Sequence, residues 1–374
     1  MIHTFHARNY GCLVDIEATL TPLHAFIGPN DSGKSTLLHG MRTVVQFAGS
    51  SFQQDNDGRW KPFDPYLPIQ RPSHELSQNP HDILLECGVD GGWYAIKTGL
   101  RGLEERAGEQ RSSDTSLYHD RSIVPRSRSW LSISAVPQPQ DGKHPSDRQI
   151  LSQLRQARLV RFDPDALREP SGLIPETHPV GFLDDRGHGL AGIYFAIRNR
   201  NDDAFSRVVA DVRRHFPTIK GLRVKAVTSS KVVLEVELVN GARVEAARLS
   251  EGLLYYLAFA ALRYLDPVSL LLVEEPENGL HPARIAEVVR ILRAIVEESG
   301  TQVLMATHSP LVVNELKPDE VSVVTRTPEE GTRVKRIKDT PDFEERSKVY
   351  ALGELWIAYA NGEDEAPLLE GTEP

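Results

Sequence analysis

The stretch that decides the fold is Leu23-His-Ala-Phe-Ile27-Gly28-Pro29-Asn30-Asp31-Ser32-Gly33-Lys34-Ser35-Thr36. Its first five residues form a short apolar run that reads as a buried strand. The residues after Lys34, Ser-Thr-Leu-Leu-His-Gly-Met-Arg-Thr-Val-Val, carry apolar side chains at helical spacing. Between them, Gly28 to Ser35 fits G-x-x-x-x-G-K-[ST] in full, in the strand-then-helix context that gives the pattern its meaning. Successive backbone N–H groups of such a loop, together with the helix N-terminus, form a cradle for phosphate. Gly28, Pro29, Asn30, Asp31, Ser32, Gly33, Lys34, Ser35 and Thr36 are therefore the candidate nucleotide-binding residues. Lys34 is the point charge for the β- and γ-phosphates, and Ser35 is a candidate Mg²⁺ ligand.

Three further signals follow along the chain. Leu270-Leu-Leu-Val-Glu274-Glu275-Pro-Glu277 is an apolar strand from whose carboxyl end two carboxylates emerge. Ligands of open α/β sheets bind at that end. Neighbouring side chains on a strand point to opposite faces, so two adjacent acids suit two jobs. Glu274 is the candidate Mg²⁺ ligand, and Glu275 the base that orients and deprotonates an attacking water. His308, in Thr-His-Ser-Pro after the run Gln302 to Ala306, is placed to donate to a γ-phosphate oxygen. Leu249-Ser250-Glu251-Gly252 opens an apolar helix; Ser250 reads either as a plain helix cap or, with Gly252, as a second anion site.

Composition bounds the rest. The chain has 374 residues, 43 Lys+Arg and 52 Asp+Glu, for a net charge of -9. That balance argues against a surface that is wholly a nucleic-acid platform. The two cysteines, Cys12 and Cys87, exclude a disulfide framework and a Cys-rich zinc site and fit a reducing compartment. No membrane-spanning apolar run and no secretory signal is found, so a cytoplasmic location is expected. Alternation of strands and helices from Leu249 onward predicts an α/β fold with a parallel sheet.

The order phosphate loop, Leu-Ser-Glu-Gly, acidic pair, histidine resembles the ATP-binding-cassette class of ATPase heads. In detail it resembles the soluble branch that includes RecF, SMC-type heads and OLD-type proteins; Glu274-Glu-Pro-Glu-Asn-Gly-Leu-His-Pro282 is very similar to the second motif of OLD-like members. The resemblance implies a P-loop NTPase fold, an ABC-ATPase-like head with a mixed or parallel core sheet, an antiparallel β lobe and a small helical lobe. It implies ATP and Mg²⁺ as ligands, a homodimer closed around ATP, a contact of Ser250 with the partner copy's γ-phosphate, and Asn278 to His281 in a loop linking the two sites. Three departures stand out. Asn9-Tyr10-Gly11 replaces the family's Asn-Phe-Arg. The strand Leu159-Val-Arg-Phe-Asp163-Pro164 lacks the family's Gln. Glu274 stands where many members have Asp.

The chain is expected to divide into residues 1–103 (phosphate loop and a β-hairpin at 82–99), an irregular insertion at 104–150, a strand and helical lobe at 151–219, the second half of the head at 220–325, and a C-terminal strand, helix and acidic tail at 326–374. Residues 51–80 read as an irregular loop. Neither a coiled coil nor room for a nuclease domain after Val324 is seen, so an ATPase head alone is expected. The stretch Arg121 to Arg161 holds eight Lys/Arg and two Asp, near Tyr118 and Trp130. It reads either as a solvated loop or as a nucleic-acid contact. The expected output is DNA repair or maintenance or anti-phage defence. The alternative is regulation of a separately encoded nuclease or toxin without DNA contact. A transporter subunit is disfavoured because the signature lacks Gly-Gly-Gln.

Overall fold

Burial on both faces distinguishes Leu23–Ile27 from the strands before it. All five of its residues are buried, whereas Leu13–Thr19 alternates buried and solvated positions. The computed structural model describes residues 1–50, 70, 72–73, 82–99, 102–110, 115–124, 132–133 and 145–360. The expected loop at 51–80, the island around Trp130 and the acidic tail fall almost wholly outside these residues.

In chain order the elements are β1 (Ile2–Tyr10), β2 (Leu13–Thr19), β3 (Leu23–Ile27), α1 (Lys34–Ser50), β4 (Leu84–Val89), β5 (Gly92–Gly99), β6 (Gly102–Gln110), β7 (Thr115–Val124), β8 (Ser132–Ile133) and α2 (Pro145–Ser152). Then come β9 (Ala157–Val160), α3 (Pro164–Arg168), β10 (Ser171–Gly172), α4 (Leu190–Arg200), α5 (Asp202–His215), β11 (Ile219–Ala226), β12 (Lys231–Leu238), β13 (Arg243–Glu245) and α6 (Glu251–Leu262). The last are β14 (Leu270–Glu274), α7 (Pro282–Ser299), β15 (Gln302–Thr307), α8 (Pro310–Asn314), β16 (Val321–Thr327), β17 (Gly331–Arg336), α9 (Phe343–Arg346) and α10 (Leu352–Ala360).

The chain splits into two units. The first is Met1–Arg158 with Val268–Leu272 and Gln302–Pro374; the second is Leu159–Pro267 with Val273–Thr301. The first holds an antiparallel sheet in the order β2-β1-β4-β5-β6-β7-β8 and the sheet built around β3, in the order β17-β16-β3-β15-β14-β9. Strands β9 and β14 begin in this unit, and their last residues belong to the other. β3 is parallel to both neighbours, with Ile27 opposite Thr307 of β15 and opposite Val323 of β16. The carboxyl ends of these three strands therefore share one edge. Helix α1 turns Leu37, Leu38, Met41, Val44 and Val45 inward at helical spacing and packs on β1, β4, β5 and β15. Gln302, buried, joins the start of β15 to β1: its Oε1 accepts from Ile2 N at 2.9 Å and its Nε2 donates to Ile2 O at 2.8 Å.

In the second unit β12 pairs with β10, β11 and β13. Helix α6 is apolar all round, and every residue from Leu253 to Leu262 is buried. Helix α5 is amphipathic, burying Ala204, Phe205, Val208 and Val212, and Asn201 caps it by accepting from Ala204 N at 2.9 Å. No helix among the described residues is long and apolar enough to cross a membrane.

One expectation is corrected. The stretch from 104 to 150 is not wholly irregular: β6 pairs with β5, β7 with β6 and β8 with β7, all antiparallel, and α2 follows. Its composition concealed this because Gly-Leu-Glu-Glu-Arg-Ala-Gly-Glu-Gln carries too few apolar residues to display a period of two. Ladder pairing with β5 defines β6.

His24 is a satisfied core histidine. Its Nδ1 lies 3.1 Å from Thr21 Oγ1 and its Nε2 2.9 Å from Ser322 Oγ. Burial, and secondarily the charge of Arg336, pulls its pKa down to about 3. The unfolded chain takes up a proton below about 6.5 and the folded one does not, so stability is lost as pH falls through the window from 6.5 to 3. At pH 5 this amounts to about 2 kcal/mol. Urea unfolding at pH 7 and pH 5 is expected to give a difference larger by about that amount in the native protein than in His24→Gln.

Candidate functional site

In the first unit the phosphate loop leaves β3 at the shared carboxyl edge. A Cβ on Gly28 would lie 2.1 Å from the Val324 carbonyl oxygen, so only glycine lets the loop pass this close to β16. Asp31 adopts φ +65°, a left-handed conformation unusual for a residue with a Cβ. Arg326, on β16, donates from Nη1 to Asp31 Oδ2 at 3.3 Å and Asp31 O at 3.4 Å. Thr332 Oγ1, on β17, donates to Ser32 O at 3.0 Å. The β16–β17 hairpin thus braces the loop, while Ser32 Oγ is buried without a hydrogen-bond partner. Lys34 lies over its own loop, Nζ donating to Gly28 O at 2.8 Å and Pro29 O at 2.6 Å. Asn30 and Ser35 are exposed, and Thr36 is half-buried, its Oγ1 accepting from Cys12 Sγ at 3.4 Å. The first helical bond runs from Leu37 N to Gly33 O at 2.9 Å. At the same edge, after β15, His308 is exposed, and buried Thr307 fixes the turn by accepting from Ser309 N at 3.0 Å.

In the second unit the acidic pair is divided by its surroundings. The Glu274 side chain is 4% exposed and that of Glu275 30%. Glu275 adopts φ +50°; for a residue with a Cβ such a conformation costs on the order of 1–3 kcal/mol. Asn278 Nδ2 donates to Glu275 Oε2 at 2.6 Å, and Asn278 N to Glu275 O at 3.0 Å. The carboxylate is thus held in place by its own turn. The turn continues through Gly279, at φ +65°, where a Cβ would lie 2.3 Å from the Tyr255 ring. Tyr255 belongs to α6, the helix opened by Ser250, and a Cβ on Gly252 would lie 3.2 Å from Gly279 O. The Leu-Ser-Glu-Gly segment and the Asn278–Gly279 turn are therefore packed together. Ser250 occupies the cap position but its side chain makes no cap hydrogen bond, and it is exposed. The plain-cap reading of Ser250 is not what the structure contains. His281 caps α7 instead, its Nδ1 accepting from Ala283 N at 3.3 Å.

Arg161 escaped the reading of the sequence as a site residue. It stands one position beyond β9, with Nη1 3.7 Å from Glu274 Oε2 and Nη2 3.5 Å from Glu275 Oε2. The available signal was the missing Gln in Leu159-Val-Arg-Phe.

Among the described residues no three His, Cys, Asp or Glu side chains group as a metal site. Mg²⁺ is commonly held by one or two protein oxygens, with waters and substrate phosphates completing the octahedron. Each unit by itself carries an oxygen of that kind, the Ser35 hydroxyl in the first and the Glu274 carboxylate in the second.

Comparison with known proteins agrees with this geometry. The model of a protein family described as "AAA domain, putative AbiEii toxin, Type IV TA system" matches residues 23–314. Among curated proteins no sequence matches. Among solved structures, an SMC head bound to the C-terminal winged-helix domain of ScpA aligns with a TM-score of 0.52 at 12% identity, covering 89% of this chain and 97% of that one. An SMC head domain from Thermotoga maritima aligns with a TM-score of 0.42 at 14% identity, covering 90% and 98%. The first of these likenesses establishes the fold.

Gly28→Ala is expected to destabilise the first unit by about 1–3 kcal/mol, the usual cost of overpacking. Gly172→Ala, where a Cβ meets nothing within 4 Å, is expected to change little. Thermal melts of the two variants beside the native protein make the comparison.

Proposed function

The chain belongs to this AAA-domain family and shares the fold of an SMC head, and from that premise we propose that it is a P-loop ATPase that binds and hydrolyses ATP as a two-state switch. The observation that carries the reading is the environment of Glu274 and Glu275: one carboxylate sequestered, the other presented on a strained backbone and held by Asn278. Strain of this kind persists where the surroundings over-determine it, and it clusters at functional sites.

The roles follow from the chemistry of phosphoryl transfer. Backbone N–H groups from Gly28 to Lys34 receive the phosphates. Lys34 Nζ exchanges the Gly28 and Pro29 carbonyls for β- and γ-phosphate oxygens. Ser35 and Glu274 would hold Mg²⁺, which would supply charge neutralisation at the phosphates. Glu275 Oε2 orients the attacking water and accepts its proton as the water oxygen bonds to the γ-phosphorus and the bond to ADP breaks. His308 donates to a γ-phosphate oxygen. Ser250 and Gly252, with the exposed start of α6, serve the nucleotide of a second copy of the chain, so that ATP closes a homodimer and hydrolysis opens it.

For the output we favour regulation of a separately encoded toxin or other effector. The family description names a type IV toxin–antitoxin system. An SMC head of related fold was solved with a domain of a separate protein seated on it. The cations of β11 and β13 are matched by glutamates: Lys220 and Arg223 with Glu237, Lys225 with Glu245, Arg243 with Glu235. That surface therefore offers little unbalanced charge to a polyanion.

Lys34→Ala is expected to lose nucleotide binding. Glu275→Gln is expected to keep it while turnover falls by about 10²–10³, the usual consequence of removing one well-placed group. The decisive measurement is the mass of Glu275→Gln by light scattering with and without ATP and Mg²⁺. A doubling on adding ATP supports the sandwich, and Ser250→Arg should then abolish it. An unchanged monomer mass would overturn the ATP-closed dimer, and undiminished turnover in Glu275→Gln would remove that residue as the base.

A further inference from the structure

We propose that Arg161 is a resident counter-cation of the acidic pair, one that a divalent metal must displace before Glu274 can hold it. The inference rests on the reading of Glu274 and Glu275 given above and adds a regulatory step to it.

The root of the residue is fixed. Arg161 N donates to Asp185 O at 2.8 Å, and two positions on Asp163 N donates to Arg186 O at 2.9 Å. Asp163 then caps α3, accepting from Asp165 N at 2.8 Å and Ala166 N at 3.2 Å, and pairs with Arg186 Nη2 at 2.7 Å. The backbone on either side of Arg161 is thus tied down. Its head is not: the side chain is 60% exposed.

From that root the guanidinium reaches both acids, one nitrogen toward each, at 3.7 and 3.5 Å. These separations lie beyond hydrogen-bond length, so the attraction is of charge for charge without the bidentate lock that Arg and carboxylate make at closer range. Arg161 places one positive charge beside two adjacent carboxylates, one of them almost wholly buried. A divalent cation on Glu274 would bring a second positive charge against the guanidinium. Because the side chain is mostly in solvent and stands beyond hydrogen-bond length from both acids, it can swing clear of them. Displacement is therefore cheap but not free, and it makes metal loading the event that releases Glu275 from its cation. An acidic pair held in this way is quiet until metal and nucleotide arrive together.

The test titrates Mn²⁺, followed by electron paramagnetic resonance, into protein saturated with the non-hydrolysable imido analogue of ATP. Affinity for the analogue is measured separately in EDTA. Arg161→Gln is expected to bind Mn²⁺ about fivefold more tightly than the native protein, with analogue affinity in EDTA unchanged. Arg161→Lys, which keeps the charge, is expected to remain within about twofold of native. Unchanged or weaker Mn²⁺ binding in Arg161→Gln overturns the proposal. So does a loss of analogue affinity in EDTA, which would make Arg161 a nucleotide contact. Glu274→Gln separates this inference from the reading it rests on. If that variant binds Mn²⁺ as the native protein does, the metal role of Glu274 is wrong, and this inference falls with it. If Glu274→Gln weakens Mn²⁺ binding and Arg161→Gln fails to strengthen it, only the present inference falls.

Discussion

Parallel pairing of β3 on both sides is the constraint on which the phosphate loop depends. A strand flanked by β15 and β16 in the same direction, with both faces covered, has no solvated side, so its residues are apolar or, like His24, fully satisfied. The same pairing sends three chain segments off one edge. Gly28, His308 and the last residues of β16 are neighbours for that reason. The crowding this produces is visible at Gly28, where the Val324 carbonyl occupies the place a side chain would need. The glycine that opens the phosphate motif thus answers to the sheet as well as to the ligand.

The second unit solves a different problem. It presents one carboxylate and shields another although they are adjacent in sequence. Strand alternation begins the separation, and the left-handed backbone at Glu275 completes it by turning the chain into the Asn278–Gly279 bend. That bend rests on Tyr255, so the acidic pair and the start of α6 share one packed support. A disturbance at either is felt through an aromatic ring and not through a flexible loop.

Much of this was legible in the sequence because the motifs place particular chemical groups at fixed short spacings. The phosphate loop, the acidic pair and the strand–helix alternation from Leu249 onward are local patterns. What was not legible depended on long-range pairing. β6 and β7 are rich in polar residues, so neither periodicity nor composition marks them as strands; only the pairing of β6 with β5 and of β7 with β6 does. Arg161 reads as one basic residue among eight in a stretch whose composition suggests a solvated loop or a nucleic-acid contact, and its pairing comes from carboxylates far along the chain. Ser250 sits at a cap position without making the cap bond, a fact of side-chain rotation that no pattern of residue types contains.

The interleaving of the two units bears on how the protein is made. The loop that opens at Gly28 leaves the ribosome long before the strands that flank β3 and the hairpin that braces the loop, which lie at Gln302–Thr307 and Val321–Arg336. At translation rates of about 5–20 residues per second, β3 waits on the order of 15–60 seconds for its partners. Meanwhile an apolar strand with two open edges stands exposed to other chains. Nucleotide cannot serve as an early folding template, because its cradle takes shape only after β15, β16 and β17 have been made. Truncated or stalled products would therefore carry the phosphate-binding residues without the sheet that shapes them, and they would be among the first forms a cell's chaperones and proteases have to clear.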